Sequence, residues 1–271
     1  MMLAQEILLR AKKNVFTNKS SEHLSKMRGE GLDFCEIRPY QAGGDIRKIN
    51  FSASGKTGDL QTNIFNEDKQ INVVICVLLS SSLHFGSVKL KSELIAEIIA
   101  HLAHSSIKQK NQTKLVFFSD AGQQIFPLRN TGELLVAIKR MLDFDLLKTK
   151  SNFEALNNYL LQQPKSLTFI ISDFYQHNNY GLIAHKNQIN AIIVRDPLEE
   201  LPNFGTELDL VNAQNHNTLT VDIDKKVAKK YQDALQIEDN KRYMHFSQHK
   251  INVGKLYTNE DVFIKLSQIL R

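Results

Sequence analysis

The sequence predicts an α/β protein in which helices cover a doubly wound, mostly parallel sheet, with an appendage at the N-terminus. Short β-rich runs alternate with helical patterns through the middle of the chain, which is typical of a parallel sheet. Residues 71–79 form a continuous apolar run, mostly β-branched, which predicts a strand buried on both faces near the centre of that sheet. The chain has 271 residues, 42% hydrophobic and 23% charged, enough for a full core.

The appendage is expected at residues 1–69 and the core at residues 70–271. After a helical pattern near residues 3–16, the first part of the chain is glycine-rich and polar, so it is expected to pack on the core and not to form a second domain.

Within the core, apolar runs at residues 114–118 and 124–126 flank a short turn that contains Gly122, which predicts a hairpin with an antiparallel edge strand. A second hairpin is predicted as an insertion near residues 206–223. The other predicted strands are residues 71–79, 167–171, 190–194 and 252–257. The predicted helices are residues 88–108, 132–142, 153–161, 225–239 and 261–269.

Composition excludes some classes of function. The net charge is +5, and the lysines alternate with acids and amides, which does not favour a nucleic-acid surface. No apolar stretch reaches the ~20 residues of a membrane span. Glu6 and Arg10 interrupt the pattern of a signal peptide, so a cytoplasmic protein is expected. Cys35 and Cys76 have neither metal nor redox spacing.

Two segments carry a family resemblance. Residues 36–51, EIRPYQAGGDIRKINF, resemble the signature of the bacterial domain-of-unknown-function family 58. Residues 195–199, RDPLE, resemble that family's segment after the fifth core strand. The resemblance implies a fold like that of von Willebrand factor type A domains. It also implies a non-enzymatic scaffold or adaptor that works with a MoxR-type AAA+ ATPase, because such proteins are commonly encoded beside these ATPases.

Members of this family often carry a metal-ion-dependent adhesion site, with Asp-x-Ser-x-Ser after the first core strand and a later Asp. By this resemblance Ser80 and Ser82 match the hydroxyl ligands and Asp173 matches the later carboxylate, whereas Leu78 replaces the first carboxylate. A divalent ion needs several oxygen ligands and compensating negative charge. The site is therefore expected to be degenerate, with no cofactor or at most weakly bound Mg²⁺. In the plain alternative, the serines cap the following helix.

The family's threonine ligand has two candidates here, Thr149 and Ser151, and the sequence leaves the choice between them open.

The residues expected to bind a partner are Arg38, Tyr40, Asp45 and Arg47, which flank the glycine pair at residues 43–44. Glycine supplies the conformational freedom that a tight turn needs. The alternative is that Asp45 and Arg47 pair with each other and hold the appendage on the core. The sequence does not decide between the two interpretations.

The rival class of function is a metal-assisted or serine hydrolase acting at the C-terminal edge of the sheet. Ser81 or Ser82 would be the nucleophile, supported by a downstream Asp and His216. The serine loop lacks the flanking glycines of a nucleophile elbow, which disfavours this interpretation. A concave pocket with convergent titratable groups beside the serines would favour the enzyme, and a filled edge would favour the adaptor.

Overall fold

The computed structural model describes residues 2–17, 33–41, 46–66, 70–200, 207–211, 218–222 and 225–270. Asp45, His216 and the glycine pair at residues 43–44, all singled out in the sequence, lie outside the described residues. The chain divides into two compact units. The small unit is Met27–Gln70, and the large unit joins Met1–Lys26 to Ile71–Arg271.

The predicted helices and strands are present in the predicted order, and the structure adds two strands and three short helices that were not predicted. The added elements are Asp33–Pro39, Phe51–Thr57, Gln61–Asn66, Gly181–Lys186 and Pro197–Glu200. The helices are α1 (Met2–Thr17), α2 (Phe51–Thr57), α3 (Lys91–Lys108), α4 (Thr131–Leu142), α5 (Phe153–Gln162), α6 (Gly181–Lys186), α7 (Pro197–Glu200), α8 (Lys225–Gln248) and α9 (Val262–Ile269). The strands are β1 (Asp33–Pro39), β2 (Gln61–Asn66), β3 (Asn72–Leu78), β4 (Gln112–Ser119), β5 (Gly122–Leu128), β6 (Leu167–Ser172), β7 (Gln188–Arg195), β8 (Glu207–Val211), β9 (Thr218–Asp222) and β10 (Asn252–Tyr257).

The large unit is built on a six-stranded sheet in the order β10-β7-β6-β3-β4-β5. Every neighbouring pair is parallel except β4 and β5, which are antiparallel. The strand order reverses beside β3: the chain adds β4 and β5 on one side, then returns to place β6 on the other. The predicted doubly wound sheet, with β3 at its centre and an antiparallel edge strand, is confirmed.

Burial explains why these segments are strands. The β3 residues from Val73 to Leu78 are buried on both faces of the sheet, which accounts for the continuous apolar run. Two helices begin at polar side chains that accept backbone hydrogen bonds: Asn130 caps α4, and Asp261 caps α9.

Two boundaries differ from those expected. Helix α1 belongs to the large unit, where it packs against α3 and α4, because its apolar face buries Ala4, Ile7 and Ala11. The expected appendage, residues 1–69, is therefore not a single unit, because residues 1–26 belong to the large unit and residues 27–69 to the small unit. Helix α8 continues to Gln248, nine residues beyond the predicted end, and its last turns are held by the fully buried Phe246.

The small unit contains the antiparallel pair β1 and β2 and the short helix α2. Asn50 caps α2 by accepting a hydrogen bond from the backbone of Ala53 at 2.9 Å, and Gly58 ends the helix with a φ of 80°. At residues 37–41, 46–63 and 70, where the burial of its side chains is described, no side chain of the small unit is buried. Ile46 and Phe51 are 67% and 72% exposed.

The predicted second hairpin is present as the antiparallel pair β8 and β9. Across the described parts of the chain, the structure has no helix whose length and apolar character would let it cross a membrane.

Candidate functional site

The carboxyl ends of β3 and β6 bring together the three predicted metal-site residues. The hydroxyl oxygens of Ser80 and Ser82 lie 2.7 Å apart, and the Ser82 hydroxyl donates to Oδ2 of Asp173. Because Ser82 gives its proton to Asp173, the Ser80 hydroxyl is the donor to Ser82. The three side chains line a cavity of about 160 Å³. This cavity lies where the strand order reverses, the usual position of a ligand site in a doubly wound sheet.

The loop after β6 turns sharply at Phe174. Its φ of 54° lies in the left-handed region, which a bulky residue rarely adopts. The Phe174 ring is buried against Tyr180 and Phe246, with ring centroids 5.9 and 5.5 Å away. The turn therefore anchors the Phe174 ring in the core, and Asp173, Phe174 and Tyr175 all line the cavity.

The structure separates the two candidates for the threonine position. Ser151 lines the cavity and donates to Oε1 of Gln176 at 3.0 Å. The hydroxyl of Thr149 instead donates to the carbonyl oxygen of Asp145 at 3.0 Å. Ser151 is therefore the one placed at the site. Leu78, the residue that by the resemblance replaces a carboxylate, also lines the cavity and offers no oxygen ligand.

Two fully buried cations lie beside Asp173. Nζ of Lys91, the first residue of α3, is 2.5 Å from Oε1 of Glu199 and 3.9 Å from Oδ2 of Asp173. The guanidinium of Arg195, at the end of β7, donates to the backbone carbonyl of Asp173. The ring of Tyr175 lies against both, with its centroid 5.5 Å from Lys91 Nζ and 4.0 Å from Arg195 Cζ.

A buried carboxylate on α8 extends this arrangement. Asp239 accepts from Arg242, from Arg195 at 3.4 Å and from Lys255 at 2.7 Å. Lys255 also donates to Glu200 at 2.6 Å. Together these groups form what we call the charged network, in which four cations match four carboxylates. Its members are Lys91, Arg195, Arg242 and Lys255 with Asp173, Glu199, Glu200 and Asp239.

The pKa values of Asp239 and Lys255 favour the charged forms of both side chains. Burial alone would raise the pKa of Asp239, but the hydrogen bond from Lys255 and the charges of Arg195, Lys255 and Arg242 lower it below its ordinary value. Burial would likewise lower the pKa of Lys255, and its hydrogen bonds to Asp239 and Glu200 raise it above its ordinary value instead. The charges of Asp239 and Lys255 are therefore stabilised by their partners.

The residues at the cavity do not match what a divalent ion requires. Asp173 is the one carboxylate among the described residues that line it, and Ser82 and Lys91 already engage its Oδ2. Mg²⁺ and Ca²⁺ take six or more oxygen ligands with negative charge among them. Within the described ranges, no three His, Cys, Asp or Glu side chains form a group that could hold a metal. This donor set is a poor fit for a divalent ion.

The other predicted residues lie in the small unit. Arg38 is on β1 and exposed, and Arg47 is exposed in the short 3-10 helix Ile46–Lys48. Tyr40 is half-buried, and its backbone N–H donates to the carbonyl of Leu60 at 2.7 Å. Because Asp45 lies outside the described residues, its pairing with Arg47 stays a prediction.

A second cavity, of about 530 Å³ and larger than the one at Asp173, lies at the side of the sheet along the edge strand β10. Lys255, Tyr257 and Lys265 line it, and none of the residues predicted for the site does. Its lysines are paired with carboxylates, as Lys265 is with Glu260 at 2.9 Å.

Comparison with known proteins identifies the family. The family described as "Protein of unknown function DUF58" matches residues 36–241, more than half of the chain. The chain is a member of the DUF58 family. The match spans both segments that carried the resemblance, residues 36–51 and 195–199, and confirms it.

Among curated relatives, this DUF58 protein resembles uncharacterized protein Rv1480 of Mycobacterium tuberculosis and uncharacterized protein Mb1516 of Mycobacterium bovis. Each is 25% identical over 203 residues, which cover 68% of this chain and 62% of the relative. The chain thus spans 62% of the length of these curated relatives.

Similar solved structures include BatB from Bacteroides thetaiotaomicron, with a TM-score of 0.45 and 12% identity over 74% of this chain and 97% of that one. An aerotolerance-related membrane protein from Bacteroides fragilis gives a TM-score of 0.44 and 13% identity, covering 74% and 96% of the two chains. The SpRpn10 VWA domain gives 0.39 and 12% identity, covering 74% and 94%.

Proposed function

We propose that this DUF58 protein is a non-catalytic adaptor whose small unit binds a partner protein, a MoxR-type AAA+ ATPase. One observation carries the proposal: where side-chain burial is described in the small unit, at residues 37–41, 46–63 and 70, no side chain is buried, and Ile46 and Phe51 are exposed. Large exposed apolar side chains are a feature of protein-binding surfaces when they adjoin one another. A partner protein would cover these two apolar side chains.

The chemistry of the same unit supports a protein partner. Arg38, Tyr40 and Arg47 belong to the family signature, and arginine and tyrosine are enriched at protein interfaces. Lys48 and Lys56 add exposed positive charge to this unit. The partner surface is therefore expected to be apolar with an acidic rim.

The carboxyl edge of the sheet fits a structural role better than a catalytic one. The cavity of about 160 Å³ is smaller than the ~300–1,000 Å³ that is usual for small-molecule sites. Behind it, the titratable groups of the charged network are paired with one another. In the proposal, the paired side chains at this edge of the sheet stabilise the fold, and the site needs no metal.

The decisive experiment is capture of the MoxR-type ATPase encoded by the same organism, using purified proteins. We expect Arg47→Ala and Phe51→Ser each to weaken capture by about tenfold or more, because central interface residues dominate affinity. Lys56→Ala is the control within the same unit, and Ser82→Ala is the control at the sheet edge. Both are expected to bind like wild type.

Circular dichroism and thermal melting establish that each variant is folded. Equal capture by folded Arg47→Ala and Phe51→Ser would refute the small unit as the interface. Loss of capture in Ser82→Ala alone would place the interface at the sheet edge. A wild-type protein that captures no ATPase at all would refute the partner.

A hydrolase is the second candidate, because the Ser82 hydroxyl donates to a carboxylate inside a cavity. Within the described residues that line this cavity there is no histidine to act as base. The test is hydrolysis of a p-nitrophenyl ester by wild type and Ser82→Ala. A rate above background that disappears in Ser82→Ala would favour the enzyme over the adaptor.

A further inference from the structure

We propose that Lys91 is the resident cation of the candidate site: its ammonium supplies, beside Asp173, the positive charge that a divalent ion would bring. The proposal rests on the geometry around Nζ, which is 3.9 Å from Oδ2 of Asp173 and 2.5 Å from Oε1 of Glu199. It stands apart from the adaptor proposal, because metal binding is measured without any partner.

The position of Lys91 is unusual for a lysine. It is the first residue of the 18-residue helix α3, where the helix dipole already places partial positive charge, and its side chain is fully buried. A buried ammonium is stable only when carboxylates compensate it. Glu199 and Asp173 do so here, while Lys89, two residues earlier, keeps a half-buried pair with Glu97 at 2.6 Å.

Charge balance explains why this arrangement disfavours a metal. The four cations of the charged network already match its four carboxylates, so a divalent ion would add two uncompensated charges. It would also meet the ammonium of Lys91 as a like charge near Asp173.

The same geometry predicts a latent metal site. Without the ammonium, the carboxylates of Asp173 and Glu199 lose their shared cation, and the hydroxyls of Ser80 and Ser82 are already hydrogen-bonded towards Asp173. Carboxylate and hydroxyl oxygens are the donors that Mg²⁺ and Mn²⁺ prefer. A neutral side chain at position 91 is therefore expected to expose a divalent-cation site.

The test is binding of Mn²⁺, followed by the electron paramagnetic resonance signal of the free ion. Wild type and the matched control Lys89→Met are expected to bind no Mn²⁺ below about 1 mM. The Mn²⁺ dissociation constant of Lys91→Met is expected to be lower than that of wild type by about tenfold or more. Adding Asp173→Asn to Lys91→Met should abolish the gained binding, which assigns it to this site.

Two results would overturn the proposal: wild type that binds Mn²⁺ in the micromolar range, or folded Lys91→Met that binds it no more tightly than Lys89→Met. If Lys91→Met does not fold, Lys91→Gln replaces it, because its neutral amide can still donate a hydrogen bond to Glu199 while both carboxylates remain, and it is measured by the same criterion. Wild type also gives a result that needs no variant. A rise in its Tm with about 10 mM Mg²⁺, against matched ionic strength, would show metal binding and refute the proposal.

Discussion

The charged network and the small unit place similar side chains in opposite environments. In the network, Lys91, Arg195 and Asp239 are buried and held by partners of opposite charge. In the small unit, Arg47 and Phe51 lie exposed on elements that bury no described side chain. The difference teaches which groups the fold itself must compensate. A buried charge must be matched by the protein's own residues, whereas an exposed apolar side chain such as Phe51 leaves surface that another molecule can cover.

The largest effect is expected from Asp239→Ala. It leaves Arg195, Arg242 and Lys255 without the carboxylate they share, and breaking a buried ion pair costs about 3–5 kcal/mol of stability. Urea unfolding measures the loss. The control is Glu238→Ala, its exposed neighbour, whose unfolding midpoint should stay at the wild-type value. If Asp239→Ala and Glu238→Ala unfold at the same urea concentration, the buried ion pairs of Asp239 contribute no more to stability than exposed ones, and the contrast with the small unit fails.

A smaller effect is expected from pH. Burial and the neighbouring His249 lower the pKa of His245, and burial lowers the pKa of His101 and His104. Just below the ordinary histidine pKa of about 6.5, the unfolded chain therefore binds more protons than the native protein, and the free energy of unfolding falls as pH falls. His245 also accepts the backbone N–H of Tyr180 at 3.2 Å, which its protonated ring cannot do.

Urea unfolding at a series of pH values from about 7 to about 5 measures this dependence. His245→Gln should make it less steep. Residues 27–70 contain no histidine, so ATPase capture through the small unit should vary little over the same range. Capture that falls in parallel with stability would instead tie the interface to the large unit.

The smallest effect on stability is expected from Phe51→Ser. The side chain is 72% exposed, and surface substitutions usually change stability by less than about 0.5 kcal/mol. Urea unfolding should give the wild-type midpoint while ATPase capture is lost. A large drop in stability would show that Phe51 packs against the protein itself, and the small unit would then resemble the charged network.

The sheet could be predicted because burial on both faces leaves a direct mark on composition. The apolar run at β3 and the short turn at Gly122 were sufficient for the central strand and the antiparallel edge. Parallel topology then brings Ser80 and Asp173 to the same edge, although 93 residues separate them. The burial pattern is read from local sequence and the shared edge follows from the parallel topology, so neither requires knowledge of side-chain contacts.

The charged network could not be predicted, because its pairs are distant in sequence and their residue types are common on surfaces. Lys91 and Glu199 are 108 residues apart, and a lysine at the start of a helix is usually solvated. One signal was available: Lys91 is the first residue of an apolar helix, where positive charge opposes the helix dipole. Arg195 at the end of an apolar strand was a similar signal.

The position of β10 has a consequence for synthesis of the chain. The ribosome produces Asp173 and Arg195 well before Asp239 and Lys255, and β10 is the last strand to join the sheet, beside β7. Until it does, β7 is an open edge that presents unpaired backbone groups next to unmatched charges, the situation in which strands of different chains pair wrongly. Docking of β10 both covers that edge and brings Lys255 to Glu200 and Asp239, so the edge of β7 and the carboxylates beside it stay open in a nascent chain until β10 has been made.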